Sequence, residues 1–361
     1  MDKNSRNSFK FIIGSQYFLY FSVMGIFLPY FNLYCYHLKF SGFQIGALSA
    51  IRSVALILFS LVWGALADRF KIRRQIYISC NFISTAIWVF YFYTTDFWAM
   101  LVITVFYGIF YSPIISFLEA FTMDVLGTEK KSYGRLRAWG TIAFIATVIV
   151  LGRVIDLYSI EIILVLIFSV SIAQAVISTK IPDIQIKKQT SFSVNVKVLL
   201  TPRFIVFLFC AFLMLMSHGT YYGFYSIHLE KLGYGNTFIG ISWALASIAE
   251  ILVMIKSNSI FKRFSLDNVL VFSFLVAALR WLGLFFAVSP AALLLLQLFH
   301  AITYGTFHVA SILYIDSLTP DGYLFETMGM FKLFMISSLI ALSGGVLLKS
   351  SQVMDRRAGS R

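Results

Sequence analysis

Charged side chains that could bind a polar solute or move protons lie within long apolar segments of this 361-residue chain. Glu119 follows the apolar stretch 98–118, and Arg135 and Arg137 stand at the start of the next apolar run. A carboxylate in an apolar membrane segment is costly unless it is paired or faces water. Arginine stays charged and can bind a carboxylate through two parallel hydrogen bonds. Two interpretations stay open: a structural ion pair that locks two helices, or a site for substrate binding or proton coupling.

The second half of the sequence holds most of the other charges in apolar runs. Histidine, with a pKa of about 6.5, suits reversible protonation, and opposite charges on neighbouring helices favour a polar cavity or a proton relay. His300, Tyr304 and His308 are four residues apart, so an α-helix would carry them on one stripe about 12 Å long. The residues predicted to couple protons are Glu250, Arg280, His300, His308 and Lys332.

Aromatic residues accompany these charges at helical spacing. Tyr221 and Tyr222 lie on one predicted helix face, and Trp243 follows in the next run. Stacking on such a lining suits a ring-bearing solute and a sugar equally well. Arg52 stands nine residues into its apolar run, and two interpretations stay open: its side chain snorkels outward to the membrane surface, or it has a functional role. The residues predicted to bind the substrate are Glu119, Arg137, Tyr221, Tyr222, Trp243 and Tyr304.

Composition indicates a membrane protein. Hydrophobic residues make up 59% and charged residues 12% of the chain, whereas a soluble domain carries about 25% charged residues. The net charge of +13 is concentrated in short loops, which favours membrane insertion over nucleic-acid binding. The three cysteines have no metal or redox spacing, and neither a phosphate-binding glycine loop nor a catalytic triad is present. We therefore expect no metal, no cofactor, no enzymatic activity and no ATP-driven transport.

Eleven apolar runs are long enough to cross a bilayer, which takes about 20 residues of α-helix. They predict an all-α, polytopic membrane protein. The runs cover 11–35, 43–66, 75–94, 98–122, 135–152, 159–179, 203–229, 236–256, 266–286, 289–314 and 325–348.

The distribution of Lys and Arg predicts the orientation. With a cytoplasmic N-terminus, 19 of them fall in inside segments, and the outside loops hold Lys39, Arg153 and Lys231. Because cytoplasmic loops carry an excess of positive charge, the N-terminus is expected in the cytoplasm.

The longest polar stretch, 180–202, divides the chain into two similar halves. Three short matches at offsets of 191 to 197 residues indicate a duplicated unit with parallel repeats. They are His37-Leu38 with His228-Leu229, Ile45-Gly46 with Ile239-Gly240, and Tyr107-Gly108 with Tyr304-Gly305. The predicted domains are a six-helix N-terminal bundle over 1–179, a cytoplasmic linker over 180–202, a C-terminal bundle over 203–348 and a polar tail over 349–361.

A duplicated six-helix unit predicts twelve helices, one more than the apolar runs supply. After residue 348 the chain continues as a polar tail with several basic residues. We expect a truncated or frame-shifted C-terminus, and a natural eleven-helix protein is the alternative.

The loop after the second run resembles the signature loop of the major facilitator superfamily. It contains Gly64, then Asp68-Arg69, then the basic pair Arg73-Arg74. The resemblance implies two pseudo-symmetric helical bundles and a loop that latches one conformation of the transport cycle. A glycine here would allow close helix approach, and an aspartate could accept hydrogen bonds from basic groups or cap a helix.

A second resemblance concerns the region around Glu119. This residue and the run 134–140, which contains Arg137, resemble helices 4 and 5 of lactose-permease-like proton symporters. In that family a glutamate and the second arginine of the run bind the sugar, which implies the same roles for Glu119 and Arg137. Thr303 stands where those permeases have a second acidic residue, so galactoside specificity is not expected.

The sequence up to about residue 345 is similar to the phenylpropionate permease subgroup of the same superfamily, over the stretches 134–144, 218–224 and 298–308. The prediction is a secondary active transporter in the cell (inner) membrane, most simply a monomer. Its expected partners are a small solute, protons and the lipid bilayer, in proton-coupled symport of an aromatic carboxylate or a sugar-like substrate. The alternatives are sugar or nucleoside symport, drug efflux, and a non-transporting remnant or sensor.

Overall fold

The computed structural model describes residues 3–127, 129, 132–183 and 201–317. These residues form helices and connecting turns, with no β-strand among them. The helices are α1 Lys3–His37, α2 Gly42–Phe70, α3 Arg73–Trp88, α4 Phe97–Leu126, α5 Tyr133–Leu157, α6 Ile162–Ser178, α7 Pro202–Lys231, α8 Asn236–Arg263, α9 Leu266–Phe286, α10 Pro290–Leu298 and α11 Phe307–Ser317. A short 3₁₀-helix, Val89–Phe92, continues α3, and a π-helical turn, Ala301–Thr306, joins α10 to α11.

Local sequence signals fix where the helices begin. Ser41 and Gln44 form a capping box at the start of α2, in which each side chain satisfies a backbone N–H of the first turn. Asp96 accepts from the backbone N–H of Ala99 at the start of α4. Thr201 caps α7, whose first residue is Pro202, a place where the missing N–H of proline costs nothing.

The predicted all-α membrane fold is confirmed. Nine helices of the described residues are long and apolar enough to cross a membrane, and Ile162–Ser178 is a shorter apolar helix. Ten predicted runs coincide with these helices within a few residues. The sixth run, 159–179, was predicted too long, because its first three residues form a turn before Ile162. The run 325–348 with Lys332, the tail 349–361 and residues 184–200 of the linker lie outside the described residues.

Equivalent helix contacts recur in the two halves. In the first half a Cβ on Gly108 of α4 would lie 2.7 Å from the Cβ of Ala55 on α2. In the second half a Cβ on Gly305 would lie 3.4 Å from Cγ of Glu250 on α8. These glycines belong to the repeated Tyr-Gly pairs, so the repeat marks the same close helix crossing in both halves.

The two halves meet along α5 and α8, at the ends farthest from the N-terminus. Gly152 and Gly240 each lie directly against backbone of the opposite helix, where a Cβ would clash. The hydroxyl of Tyr30 donates to the carbonyl of Val148 at 3.1 Å and lies 3.4 Å from that of Asn236. Backbone contact of this kind requires small residues, as in other membrane helix pairs.

A carboxylate from one half caps a helix of the other. Asp156, near the end of α5, accepts from the backbone N–H groups of Asn236 and Thr237, both at 2.8 Å. These are orphan donors in the first turn of α8, where negative charge is favourable. His37 and Glu230 pair at 2.8 Å between the ends of α1 and α7. Polar contacts therefore hold the halves together at this end.

Replacing Asp156 by alanine should loosen this closed end. Loss of a helix N-cap costs about 1 kcal/mol, which would shift the balance between conformations about fivefold towards separation. Distances between spin labels at Tyr158 and Val288, both exposed near this end, should become longer or broader. Arg153→Ala, an exposed change on the same helix, is the matched control and should leave the distances unchanged. Equal distance distributions in both variants would contradict the role of the cap.

The predicted orientation can be tested by labelling. Single cysteines at positions 185 and 232, in a background without Cys35, Cys80 and Cys210, are expected to react with an impermeant thiol reagent from opposite sides. Position 185 should be labelled from the cytoplasm and position 232 from outside, because the basic loops favour the cytoplasmic side. Labelling of both from one side would refute the charge-based orientation.

Candidate functional site

Three ionisable side chains of the second half form one continuous bridge. Nε2 of His300 lies 2.8 Å from a carboxylate oxygen of Glu250 on α8. Nδ1 of His300 lies 2.9 Å from a guanidinium nitrogen of Arg280 on α9. His300 follows α10, so three neighbouring helices each supply one member. The sequence predicted these residues as a group, and the structure brings them into direct contact.

Arg280 is fixed in place from several directions. Its side chain is fully buried, and Nε donates to the carbonyl of Leu296 at 3.1 Å. A terminal nitrogen donates to the side-chain oxygen of Gln297 at 3.2 Å. The guanidinium carbon lies 4.4 Å from the ring centre of Tyr221 and 4.8 Å from that of Trp281. Hydrogen bonds and aromatic faces together offset part of the cost of burying this cation.

The hydrogen bonds define which nitrogen of His300 carries the proton. Arginine can only donate, so Nδ1 of His300 must accept from Arg280. The ring proton therefore lies on Nε2, which donates to Glu250. A second proton on Nδ1 would set two donors against each other, so Arg280 keeps the ring neutral. Glu250 is then the acidic member of the bridge, and it accepts from the ring of His300.

A π-helical turn interrupts the tenth apolar run directly after His300. The sequence predicted an unbroken α-helix here, and that detail is wrong. The turn covers Ala301–Thr306, and the hydroxyl of Thr306 donates to the carbonyl of Ala301 at 3.1 Å. Such turns are frequent at functional sites, and this one places Gly305 against Glu250.

The predicted stripe of rings survives this interruption. The ring centres of His300 and Tyr304 are 5.3 Å apart with nearly parallel planes, and those of Tyr304 and His308 are 6.3 Å apart. Tyr304 and His308 are partly exposed, whereas His300 is buried. The stack therefore runs from the buried bridge to an accessible surface.

The aromatic residues predicted on α7 and α8 divide into two groups. Tyr221 and Trp243 are buried inside the second half, where Tyr221 donates to Gln297 at 2.8 Å and Trp243 donates to Ser226 at 3.0 Å. Tyr222 keeps exposed surface and its hydroxyl lies 3.4 Å from Nε2 of His300. Tyr221 and Trp243 therefore pack inside the second half and support the site. Tyr222 keeps exposed surface with which it can contact a solute.

The first half brings Glu119 and Arg137 together as predicted, in a loose ion pair. The distance from Nε of Arg137 to the carboxylate of Glu119 is 3.9 Å, and both side chains are partly exposed. The hydroxyl of Tyr133 lies 3.4 Å from the same carboxylate. The guanidinium carbon of Arg137 lies 4.1 Å from the ring centre of Phe21. This open geometry leaves donors and acceptors for a bound molecule.

The two predicted sites approach each other at His308. Arg137 of the first half and Glu250 of the second are each close enough to His308 to act electrostatically on it. An ion pair, a ring stack and a buried bridge of ionisable side chains therefore lie near one another where the two bundles meet. Such a place can hold a polar solute between two domains that rock against each other.

The predicted latch residues have varied environments. Arg73 forms an ion pair with Asp124 of α4, and Arg74 donates to the carbonyls of Thr179 and Ile181 at 2.6 and 2.7 Å. These contacts tie the start of α3 to α4 and to the end of α6. Of the other predicted members, Asp68 and Arg69 are exposed.

The expected reason for Gly64 is not observed. A Cβ at this position would meet no described residue within 4 Å, so the predicted close helix approach is absent among the described residues. Close approach occurs instead at the glycines 108, 140, 152 and 240. Sequence position within a signature loop did not reveal which glycines lie at helix crossings.

Several residues of the site were not identified from the sequence. Tyr133 and Phe21 contact the first ion pair, Gln297 links Arg280 to Tyr221, and Asp156 caps α8. Gln297 could have been found as a polar residue one turn before His300 in an apolar run. Nothing in the sequence around Asp156 indicates that it caps a helix, because its partners lie 80 residues away in the other half. Among the described residues there is no group of three His, Cys, Asp or Glu that could hold a metal ion.

Arg137→Lys should weaken substrate binding by about tenfold or more, because lysine keeps the charge but loses the planar, two-pronged donor arrangement. The measurement is the affinity of the purified protein for its transported solute. Arg135→Lys is the matched control, since Arg135 is exposed two residues away. Equal affinities in the two variants would remove Arg137 from the binding site.

Known proteins are similar to this chain over most of its length. A model of the MFS_1 like family matches residues 11–354. The chain belongs to this family of the major facilitator superfamily. It is 25% identical over 344 residues to the "Probable 3-phenylpropionic acid transporter" of Escherichia coli K12, covering 92% of this chain and 87% of that protein. The maltose permease of Geobacillus stearothermophilus is 22% identical over 280 residues, covering 76% of this chain and 70% of that one.

Solved structures show the same fold. The crystal structure of the nucleoside transporter NupG superposes with a TM-score of 0.79 at 19% sequence identity. The match covers 94% of this chain and 89% of NupG. At this identity the likeness concerns the fold alone. This family member is therefore a multi-pass membrane protein with the major-facilitator fold, and its relatives are transporters of small solutes.

Proposed function

We propose that this protein is a secondary active transporter that couples the movement of a small organic solute to protons. The observation that carries the proposal is the bridge of Glu250, His300 and Arg280, which lies near the ion pair of Arg137 and Glu119 in the other half. Ionisable residues inside membrane helices are rare and typical of transport and proton pathways. The family relationship supports the same class of function.

The proton is carried by Glu250. The charge state of a buried carboxylate depends on its solvation and on the cations beside it. Alternating access changes both, so Glu250 can take up a proton when its side of the cavity is wet and lose it after the halves have rocked. His300, held neutral by Arg280, donates from Nε2 to Glu250 and keeps this carboxylate in position. Glu119 and Arg137 contact the solute from the other half.

The substrate is a ring-bearing solute. Partly exposed Tyr222 and Tyr304 offer ring faces next to the charged bridge, and aromatic faces bind rings by stacking. Among the relatives, one carries a phenylpropionic acid transporter's name and another is a maltose permease. An aromatic carboxylate of the phenylpropionate type is the first candidate. Nucleosides and sugars are the second, and the same fold would serve efflux.

We assign the described conformation to a state that is closed on the outer side of the membrane. With a cytoplasmic N-terminus, the joined ends of α5 and α8 lie on the outer side of the cell membrane. Asp156 and the Glu230–His37 pair then form the outer closure. Closure on this side is expected of the inward-facing state, which is reached at the end of an uptake step. We also propose that the protein works as a monomer.

Substrate-dependent alkalinisation of the medium tests the proposal. Lightly buffered cells that express the protein should raise the external pH when the right solute is added, because protons enter with it. The panel contains 3-phenylpropionate, uridine and maltose, and cells without the protein correct for passive diffusion of the acid. Solute uptake without any pH change would refute proton coupling. Neither uptake nor efflux of any of the solutes would favour the non-transporting alternative.

A further inference from the structure

Arg52 is a cation inside the first half that no carboxylate among the described residues balances. Its guanidinium carbon lies 4.1 Å from the ring centre of Phe27 on α1. No ion pair or hydrogen bond joins its side chain to another described residue. We propose that Arg52, together with the hydroxyl of Tyr107, binds the carboxylate of an anionic substrate. The inference rests on the proposed transport function, since it names the chemical group that the transported solute must carry.

The surroundings of Arg52 form an aromatic chamber with an unused hydrogen-bond donor. Tyr107, Tyr20 and Tyr111 all lie close enough to act on its charge, Tyr107 most strongly. Tyr107 is 3% exposed, and its hydroxyl has no hydrogen-bond partner among the described residues. Buried hydroxyls are nearly always paired, so an unpaired one calls for an explanation. A bound carboxylate would accept from both the hydroxyl and the guanidinium.

Charge balance favours Arg52 over the two sites already described. Arg137 has Glu119 beside it, and Arg280 is connected through His300 to Glu250. A further carboxylate placed at either pair would face a negative charge that is already present. At Arg52 it would meet an uncompensated positive charge, and a buried charge is stable only when it is paired.

Arg52 lies next to a helix crossing that has an equivalent in the second half. It lies one turn before Ala55, which contacts Gly108 of α4, and this crossing corresponds to that of Glu250 and Gly305 in the second half. Each half therefore carries one charge at its equivalent helix crossing. The second half has the acidic one, and the first half has the basic one.

Arg52 lies near the ion pair of the first half. Tyr20 is close enough to both Arg52 and the Arg137–Glu119 pair for each to act on it electrostatically. The ring of Tyr20 stacks on that of Tyr111 at 5.4 Å, and the side chain of Arg52 is partly exposed. We expect the aromatic ring of the solute to bind near Tyr20 and its carboxylate to bind Arg52. Neutral sugars and nucleosides have no group that uses this subsite.

Binding to the purified full-length chain tests the inference. The probe is labelled 3-phenylpropionate, and the variants are Arg52→Met and, as the matched control, Arg153→Met at an exposed position of α5. Loss of a charge-assisted contact should lower the affinity of Arg52→Met for the acid by about tenfold or more. The control should bind as the wild type does. Equal affinity in both variants overturns the inference.

Tyr107→Phe keeps the test decisive if Arg52→Met does not fold. Because the hydroxyl has no partner, its removal should not lower the unfolding temperature of the ligand-free protein. It should still weaken acid binding by about threefold or more, and unchanged affinity overturns the inference. If the wild type binds uridine or maltose but no carboxylate, the inference falls and transport stands. If it binds the acid through Arg52 but carries neither solute nor protons, the proposed function fails instead.

Discussion

Uphill accumulation of substrate is expected to stop in the Glu250→Gln variant, while exchange of substrate across the membrane continues. Glutamine has nearly the same shape and can still accept from Nε2 of His300, so the site stays assembled. It cannot take up or release a proton. A carrier that cannot change its charge state has no means of using a proton gradient. The protein with bound solute can still alternate between the conformations open to either side of the membrane.

The measurement is accumulation of labelled solute in vesicles with an imposed pH gradient, beside counterflow exchange without a gradient. Glu161→Gln, at an exposed position before α6, is the control and should accumulate substrate normally. If Glu250→Gln still concentrates the solute, the proton travels by another group. His308 is then the next candidate, because it is the partly exposed histidine at the outer end of the ring stack.

Arg280→Met should cause the largest loss of stability. The guanidinium is fully buried and donates to His300, Gln297 and the carbonyl of Leu296. Removing one member of a buried charged pair costs about 3–5 kcal/mol, because the remaining charge is left without compensation. Here that remaining charge is Glu250. The free energy of unfolding of the purified protein in detergent is the quantity to measure.

A double variant separates this charge effect from lost packing. In Arg280→Met with Glu250→Gln no buried charge is left unpaired, so at least about 1 kcal/mol of the loss should return. Arg153→Met, an exposed replacement of the same type, should have little effect. If the double variant is as unstable as the sum of its single variants, Arg280 does not act through the charge of Glu250.

The sequence was sufficient to predict the fold and to predict which charged residues lie next to one another. Long apolar runs have few alternatives to membrane helices, and a buried carboxylate needs a nearby cation. These two constraints predicted the helices and the pairing of Glu119 with Arg137. They also placed Glu250, Arg280 and His300 on neighbouring helices.

Features that depend on helix rotation and on the register between halves could not be predicted. The π-helical turn after His300 places Gly305 against Glu250, and no residue type in the sequence predicts such a turn. The cap of Asp156 on α8 depends on how the two bundles are joined. Arg52 was visible as a charge in an apolar run, but its aromatic chamber is contributed by α1, α4 and the end of α3.

The most direct test of the central claim records lumenal pH and labelled solute together in proteoliposomes. In the wild type, inward movement of the solute should acidify the lumen, beyond the signal of protein-free liposomes. In Glu250→Gln, labelled solute should enter by exchange without this added acidification. Equal acidification by the two proteins would contradict the assignment of the proton to Glu250.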